Sequence, residues 1–283
     1  MITSNNPLFQ GAASEVVTPF TTDGKLELGL LKHEIEFMIE RGITGFFVNG
    51  LASEALMMSD ADRYAAALAV REASKGKVPV MGNVIANSIS EGIRYAREYQ
   101  DIGMEALILT PPLIYKYNTD GLYAFFVEIA ASVDLPAYIY NAPETGNKVA
   151  PELIARIFNQ NSNFRGYKDS TKNLIELQTL LLKLDDERHF ELMSGSDALT
   201  MSIMMLGGLG VISLISVVFP QLIVDFCAAC AAQDWKSATQ LQNKVLRVRE
   251  ALKIGPFMAA YKYVGGKVGN PLGVVKRPLS GLN

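Results

Sequence analysis

Two textures alternate along this chain. Short, mostly apolar runs recur, and between them lie longer stretches in which apolar positions return every three or four residues. The short runs predict β-strands over residues 12–17, 45–49, 78–84, 106–110, 137–140, 165–168, 191–194 and 210–214. The longer stretches predict helices over 28–41, 60–74, 88–102, 119–132, 151–159, 173–184, 199–206 and 220–232. Their ends carry start and stop signals: Gly42, Gly76 and Gly103 follow three of the helices, Ser88 opens one as a cap, and Pro151 stands in the first turn of another.

With Val17, Val48, Met81, Leu109, Tyr140, Lys168, Ser194 and Ile212 marking strand ends, the spacings are 31, 33, 28, 31, 28, 26 and 18 residues. That is the period of a βα unit, and eight such units predict an α/β fold closed into a (β/α)8 TIM barrel. Two more helical stretches, 235–252 and roughly 257–264, with a Pro/Gly-containing tail, form a C-terminal helical extension. The expected organisation is a barrel over 1–219, with 220–283 holding the last barrel helix and the extension in one structural unit. An open dinucleotide-binding sheet is disfavoured: Gly207-Gly208-Leu209-Gly210 comes late and precedes its strand, the wrong order for a phosphate-binding turn.

The 283 residues, 49% of them hydrophobic, can bury one large core. A formal net charge of -3 leaves no broad basic field to attract nucleic acid. Neither a secretory signal in the first 11 residues nor an apolar run long enough to cross a membrane is read, so a cytoplasmic protein is expected. Cys227 and Cys230 share one helix face; with no second pair to complete a zinc site, they read as reduced, buried core residues rather than a redox motif. His33 and His189 are the two histidines, which gives no clustered imidazoles for a metal-dependent aldolase.

In a barrel of this kind reactive groups gather at the carboxyl ends of the strands. Lys168 ends the sixth expected strand and Tyr140 the fifth, so adjacent strands about 4.8 Å apart bring both to the barrel mouth. A lysine amine partly out of water can lose its proton near neutral pH and attack a carbonyl, with the tyrosine as proton carrier. The alternative for such a lysine is a solvated strand-end charge. Asp169, by strand alternation, points toward the helices.

These residues sit in a series of motifs: Thr18-Pro19-Phe20 followed by Asp23-Gly24, Gly50-Leu51-Ala52-Ser53-Glu54, Tyr140-Asn141-Ala142-Pro143, Gly166-Tyr167-Lys168-Asp169-Ser170, Gly195-Ser196-Asp197 and Gly207-Gly208-Leu209-Gly210-Val211-Ile212-Ser213. In that order and spacing the chain resembles the dihydrodipicolinate synthase / N-acetylneuraminate lyase superfamily of class I, pyruvate-dependent aldolases. The resemblance implies that Lys168 forms a Schiff base with the keto carbon of a 2-oxo acid while Tyr140 moves protons. No external cofactor and no metal is then required. It implies pyruvate and an aldehyde as small-molecule partners, and a homo-oligomer, a tetramer by analogy.

Three segments depart from the family pattern. Where relatives carry two adjacent hydroxyl residues for the substrate carboxylate, this chain has Leu51-Ala52, leaving Ser53 and the amides of Ala52 and Ser53 to serve. Past Pro143 stands Glu144-Thr145-Gly146, without the arginine of lysine-pathway synthases. After the fourth strand the tyrosine-bearing turn reads Pro111-Pro112-Leu113-Ile114-Tyr115-Lys116-Tyr117, where Tyr115 or Tyr117 stands in for the relay tyrosine or simply packs. Ser170, Gly195, Ser196, Asp197 and Ile212 are expected to face substrate; Ser170, Ser196 and Asp197 have helix capping as the alternative. The expected function is reversible cleavage of a 2-keto-3-deoxy sugar acid to pyruvate and an aldehyde. The alternatives are a keto-deoxy sugar acid dehydratase, dihydrodipicolinate synthase itself, or a barrel that binds a small molecule without turnover.

Overall fold

The apolar runs form eight short strands, nearly all of whose residues are buried because both faces are covered, by the barrel interior on one side and helices on the other. They are β1 (Gly11–Glu15), β2 (Gly45–Val48), β3 (Val80–Val84), β4 (Ala106–Leu109), β5 (Ala137–Asn141), β6 (Phe164–Asp169), β7 (Glu191–Ser194) and β8 (Gly210–Ser213). In the computed structural model, which describes residues 7–282, each strand pairs in parallel with the next and β8 pairs with β1, closing the barrel. Residues 1–6, part of the stretch read as lacking a signal, lie outside the described residues.

The helices α1 (Leu28–Ile39), α2 (Asp60–Ser74), α3 (Ile89–Asp101), α4 (Thr119–Ala130), α5 (Pro151–Gln160), α6 (Leu174–Leu181), α7 (Thr200–Met205) and α8 (Pro220–Ala231) follow strands β1 to β8 in turn. Ser59, Ser88, Asn118 and Asn173 each accept a hydrogen bond from a first-turn amide of their helix. Gly42 and Gly103, at φ of 87° and 77°, supply the left-handed turns after α1 and α3. Three 3-10 turns, Ala55–Met57, Pro143–Thr145 and Ile215–Val217, were not foreseen from the sequence. All three follow strand carboxyl ends, where the chain must turn before its helix begins.

Strand alternation divides the apolar side chains into two sets. Ala13, Phe47, Met81, Ile108, Tyr138, Tyr140, Met193 and Ile212 pack inside the barrel, joined by Phe9 beneath. The larger set fills the shell between strands and helices. Cys227 and Cys230 are free and buried on α8, and burial pushes the Cys230 thiol up to about 11, against any reactive thiolate.

The extension is α9 (Trp235–Ala251) and α10 (Ala259–Lys267). It is tied to the barrel mouth by one buried amine. Lys262 of α10 pairs with Glu54 at 2.7 Å and donates to the carbonyls of Thr18 at 2.8 Å and Val274 at 2.7 Å. Two strand-end loops and the tail are thus drawn around a charge that burial would otherwise penalise. Removing one partner of such a pair costs about 3–5 kcal/mol.

Beside it, Glu34 of α1 is wholly buried; one carboxyl oxygen accepts the Val17 amide at 2.9 Å and the other has no partner among the described residues. Burial pushes this carboxyl up to about 8, opposed by the Val17 amide and the Lys262 ammonium. The folded protein therefore keeps a proton that the unfolded chain releases above 4.5, and stability falls as pH climbs from 4.5 to about 8. Glu34→Gln is expected to flatten that decline, which reaches at most about 1.4 kcal/mol per pH unit. Urea midpoints across the range would measure it, and an unchanged slope would contradict a neutral Glu34.

Candidate active site

The carboxyl end of the barrel opens into a cavity of about 270 Å³. Its walls come from the strand ends and from the extension: Glu15, Leu51, Ala52, Tyr140, Ser170, Gly195, Ser196, Asp197 and Ile212 on the barrel side, with Arg249, Phe257 and Tyr261 on the side of the extension. Glu144 and Lys172 complete the rim.

Lys168 lies directly under this cavity. The β5 and β6 strands pair with Tyr140 opposite Lys168, the register that the two motifs require. The lysine is 1% exposed and reaches inward, so that Nζ stands 3.8 Å from the centroid of the Phe47 ring and 4.0 Å from that of Tyr140. Two aromatic faces replace part of the water that the ammonium has lost. Its ion-pair partner is Glu15, at the end of β1 across the barrel, with Oε2 3.3 Å from Nζ. The other Glu15 oxygen accepts the backbone amide of Ala52 at 2.9 Å. Neighbouring glycines keep this arrangement open: a Cβ at Gly50 would collide with the Glu15 carboxylate and the Phe47 ring, and one at Gly195 would press on Ser170 and on Cε of Lys168.

Tyr140 is buried, and desolvation raises its phenol above the usual tyrosine range against the opposing Lys168 ammonium. The phenol therefore holds its proton. Asp169 turns to the helix side as strand alternation requires, accepting from the Tyr167 hydroxyl at 3.2 Å and the Thr171 amide at 2.8 Å.

The remaining expected residues divide. Ser170 borders the cavity with its hydroxyl donating to the Gly195 carbonyl at 3.0 Å, while Asn173 caps α6, so the capping alternative for Ser170 falls away. Gly195, Ser196 and Ile212 also border the cavity. Asp197 is no cap either, since α7 starts at Thr200 without a side-chain cap; its carboxylate accepts the Ser213 hydroxyl. Burial raises the Asp197 carboxyl, with that hydroxyl and the Leu214 and Ile215 amides opposing the rise.

At the loop after β2 two of the expected groups are engaged within the protein. Ser53 is fully buried and spends its hydroxyl on the Gly50 carbonyl at 2.7 Å, away from the cavity. The Ala52 amide faces the site but is already taken by Glu15. Tyr115 and Tyr117 do not border the cavity: Tyr115 is 70% exposed, and Tyr117 donates to the Asn87 carbonyl at 3.1 Å.

Sequence reasoning missed Glu15, Phe47, Arg249, Phe257 and Tyr261. Glu15 had a signal, the one charge inside a buried strand. Among the described residues no three His, Cys, Asp or Glu side chains cluster as a metal site, and no helix is long and apolar enough to cross a membrane.

Comparison with known proteins bears on this geometry. The profile of the Dihydrodipicolinate synthetase family matches residues 8–283. A 4-hydroxy-tetrahydrodipicolinate synthase of Rhizobium meliloti is 31% identical over 274 residues, covering 96% of this chain and 92% of that protein. The crystal structure of a dihydrodipicolinate synthase from Thermotoga maritima superposes with a TM-score of 0.92 at 25% identity, covering 98% of this chain and 94% of that one. YagE, a prophage protein of the dihydrodipicolinic acid synthase family from E. coli K12 solved in complex with pyruvate, gives 0.91 at 25% identity, with 98% and 94% covered. With a (β/α)8 barrel, a lysine buried beneath the mouth and a family match across nearly its whole length, the chain belongs to the dihydrodipicolinate synthetase family of imine-forming lyases.

Proposed function

We propose that this chain makes and breaks a carbon–carbon bond of a 2-oxo acid through an imine on Lys168, reversibly cleaving a 2-keto-3-deoxy sugar acid to pyruvate and an aldehyde. The observation that carries this reading is the Lys168 amine, 1% exposed at the end of β6 and held beneath a polar cavity beside Tyr140. An amine bonded to the keto carbon becomes a cationic electron sink, and the electrons of the adjacent bond flow into it as the aldehyde departs. Tyr140, protonated and buried, relays a proton between the departing oxygen and the enamine carbon.

The walls support a hydroxylated acid. Ser170 and Ser196 offer hydroxyls to a sugar chain, and Lys172 and Arg249 offer cationic groups to its charged end. A synthase reaction of the kind named for the relatives is the second reading, favoured by their 31% identity and by the Arg249 guanidinium at the cavity. The protein is expected to act in the cytoplasm as a homo-oligomer, a tetramer by resemblance. Support for self-association comes from Ile114 and Tyr115, 81% and 70% exposed in the loop after β4.

Borohydride reduction with pyruvate is expected to leave one reduced pyruvyl adduct per chain by intact mass, and none in Lys168→Ala. A wild-type protein that takes up no adduct would overturn the proposal. Tyr140→Phe should still form the adduct while turnover drops by about a hundredfold or more; unchanged kcat would remove the tyrosine from the proton path. Incubating pyruvate with a panel of aldehydes should yield new 2-oxo acids from polyhydroxylated aldehydes above all. Release of water from the sugar acid without bond cleavage would instead establish a dehydratase.

A further inference from the structure

Glu15 is the one charged residue of β1, and the imine reading of Lys168 as it stands gives it nothing to do. We propose that Glu15 is the acid–base partner of Lys168, taking the proton of the ammonium to free the amine and returning it to the oxygen that leaves as water. The proposal rests on the imine reading and adds a catalytic residue to it.

Three observations converge on this carboxylate. Its Oε2 stands 3.3 Å from Nζ, and among the described residues no other carboxylate forms an ion pair with Lys168. Its Oε1 is pinned by the Ala52 amide at 2.9 Å, so the group is held with one oxygen fixed and the other turned to the amine. It also borders the cavity, where a carbonyl substrate would enter, with its side chain 10% exposed. The Tyr140 ring meets the ammonium with its π face, which accepts no proton.

The chemistry balances within the pair. The ammonium passes one proton to Glu15, and the neutral amine attacks the carbonyl carbon, forming the C–N bond as the π electrons move to oxygen. A proton moves from that nitrogen to that oxygen, giving a neutral carbinolamine. Protonated Glu15 then gives its proton to the hydroxyl, the C–O bond breaks, water leaves, and the nitrogen lone pair completes the protonated imine. Ammonium and carbonyl become iminium and water, with the carboxylate restored. The first transfer also removes a negative charge from beside the amine. Without it, a substrate carboxylate arriving beside the amine would face a like charge repelling it.

Glu15→Gln keeps the shape and can still accept the Ala52 amide, but cannot take a proton. Rapid quenching with borohydride after mixing with pyruvate, read by intact mass, gives the rate of imine formation. That rate is expected to fall about a hundredfold in Glu15→Gln, and to fall in Glu15→Ala with partial recovery on adding formate, which supplies a mobile carboxylate. A wild-type rate in Glu15→Gln, or a Glu15→Ala protein as slow with formate as without, would overturn the role of Glu15 while leaving the imine reading intact. A wild-type protein that forms no adduct would overturn both.

Discussion

The site depends on an ammonium group held out of water. Lys168 is buried at the centre of the barrel mouth, where a cation survives only if the protein replaces its hydration. Phe47 and Tyr140 give it two aromatic faces, and Glu15 gives it a counter-charge from the opposite wall. Each comes from a different strand, so the amine acquires its surroundings only when the sheet closes. Folding and the assembly of the reactive group are one event.

The extension serves the same end. Lys262 draws the loops after β1 and β2 together through Thr18 and Glu54, while Arg249 of α9, Phe257 between α9 and α10, and Tyr261 of α10 line the cavity from beyond the barrel. The loop after β2 shows how local changes are absorbed: with Leu51 and Ala52 in place of hydroxyl residues, the free Ala52 amide is satisfied by the Glu15 carboxylate.

Much of this was legible in the sequence because it follows from local periodicity. Strand and helix order, the stops at Gly42 and Gly103, and the pairing of Tyr140 with Lys168 all need only neighbouring residues or the regular βα spacing. What escaped is contact across the barrel. Glu15 and Lys168 are 153 residues apart and meet only through the lumen, and Phe47 enters from a third strand. Ser53 could not be placed from its motif, since a serine facing a substrate and one bonded to the Gly50 carbonyl have the same sequence. The Asp197 and Ser170 capping alternatives failed because helix starts are set by where the chain leaves the strand, here later than each residue.

The account turns on a covalent bond at a single nitrogen. A crystal structure of the protein soaked in pyruvate would test it most directly. The account predicts continuous density from Nζ of Lys168 into the keto carbon, at the cavity that Phe257 and Tyr261 help to line. Pyruvate bound elsewhere, with the amine still paired to Glu15 and no bond formed, would contradict it.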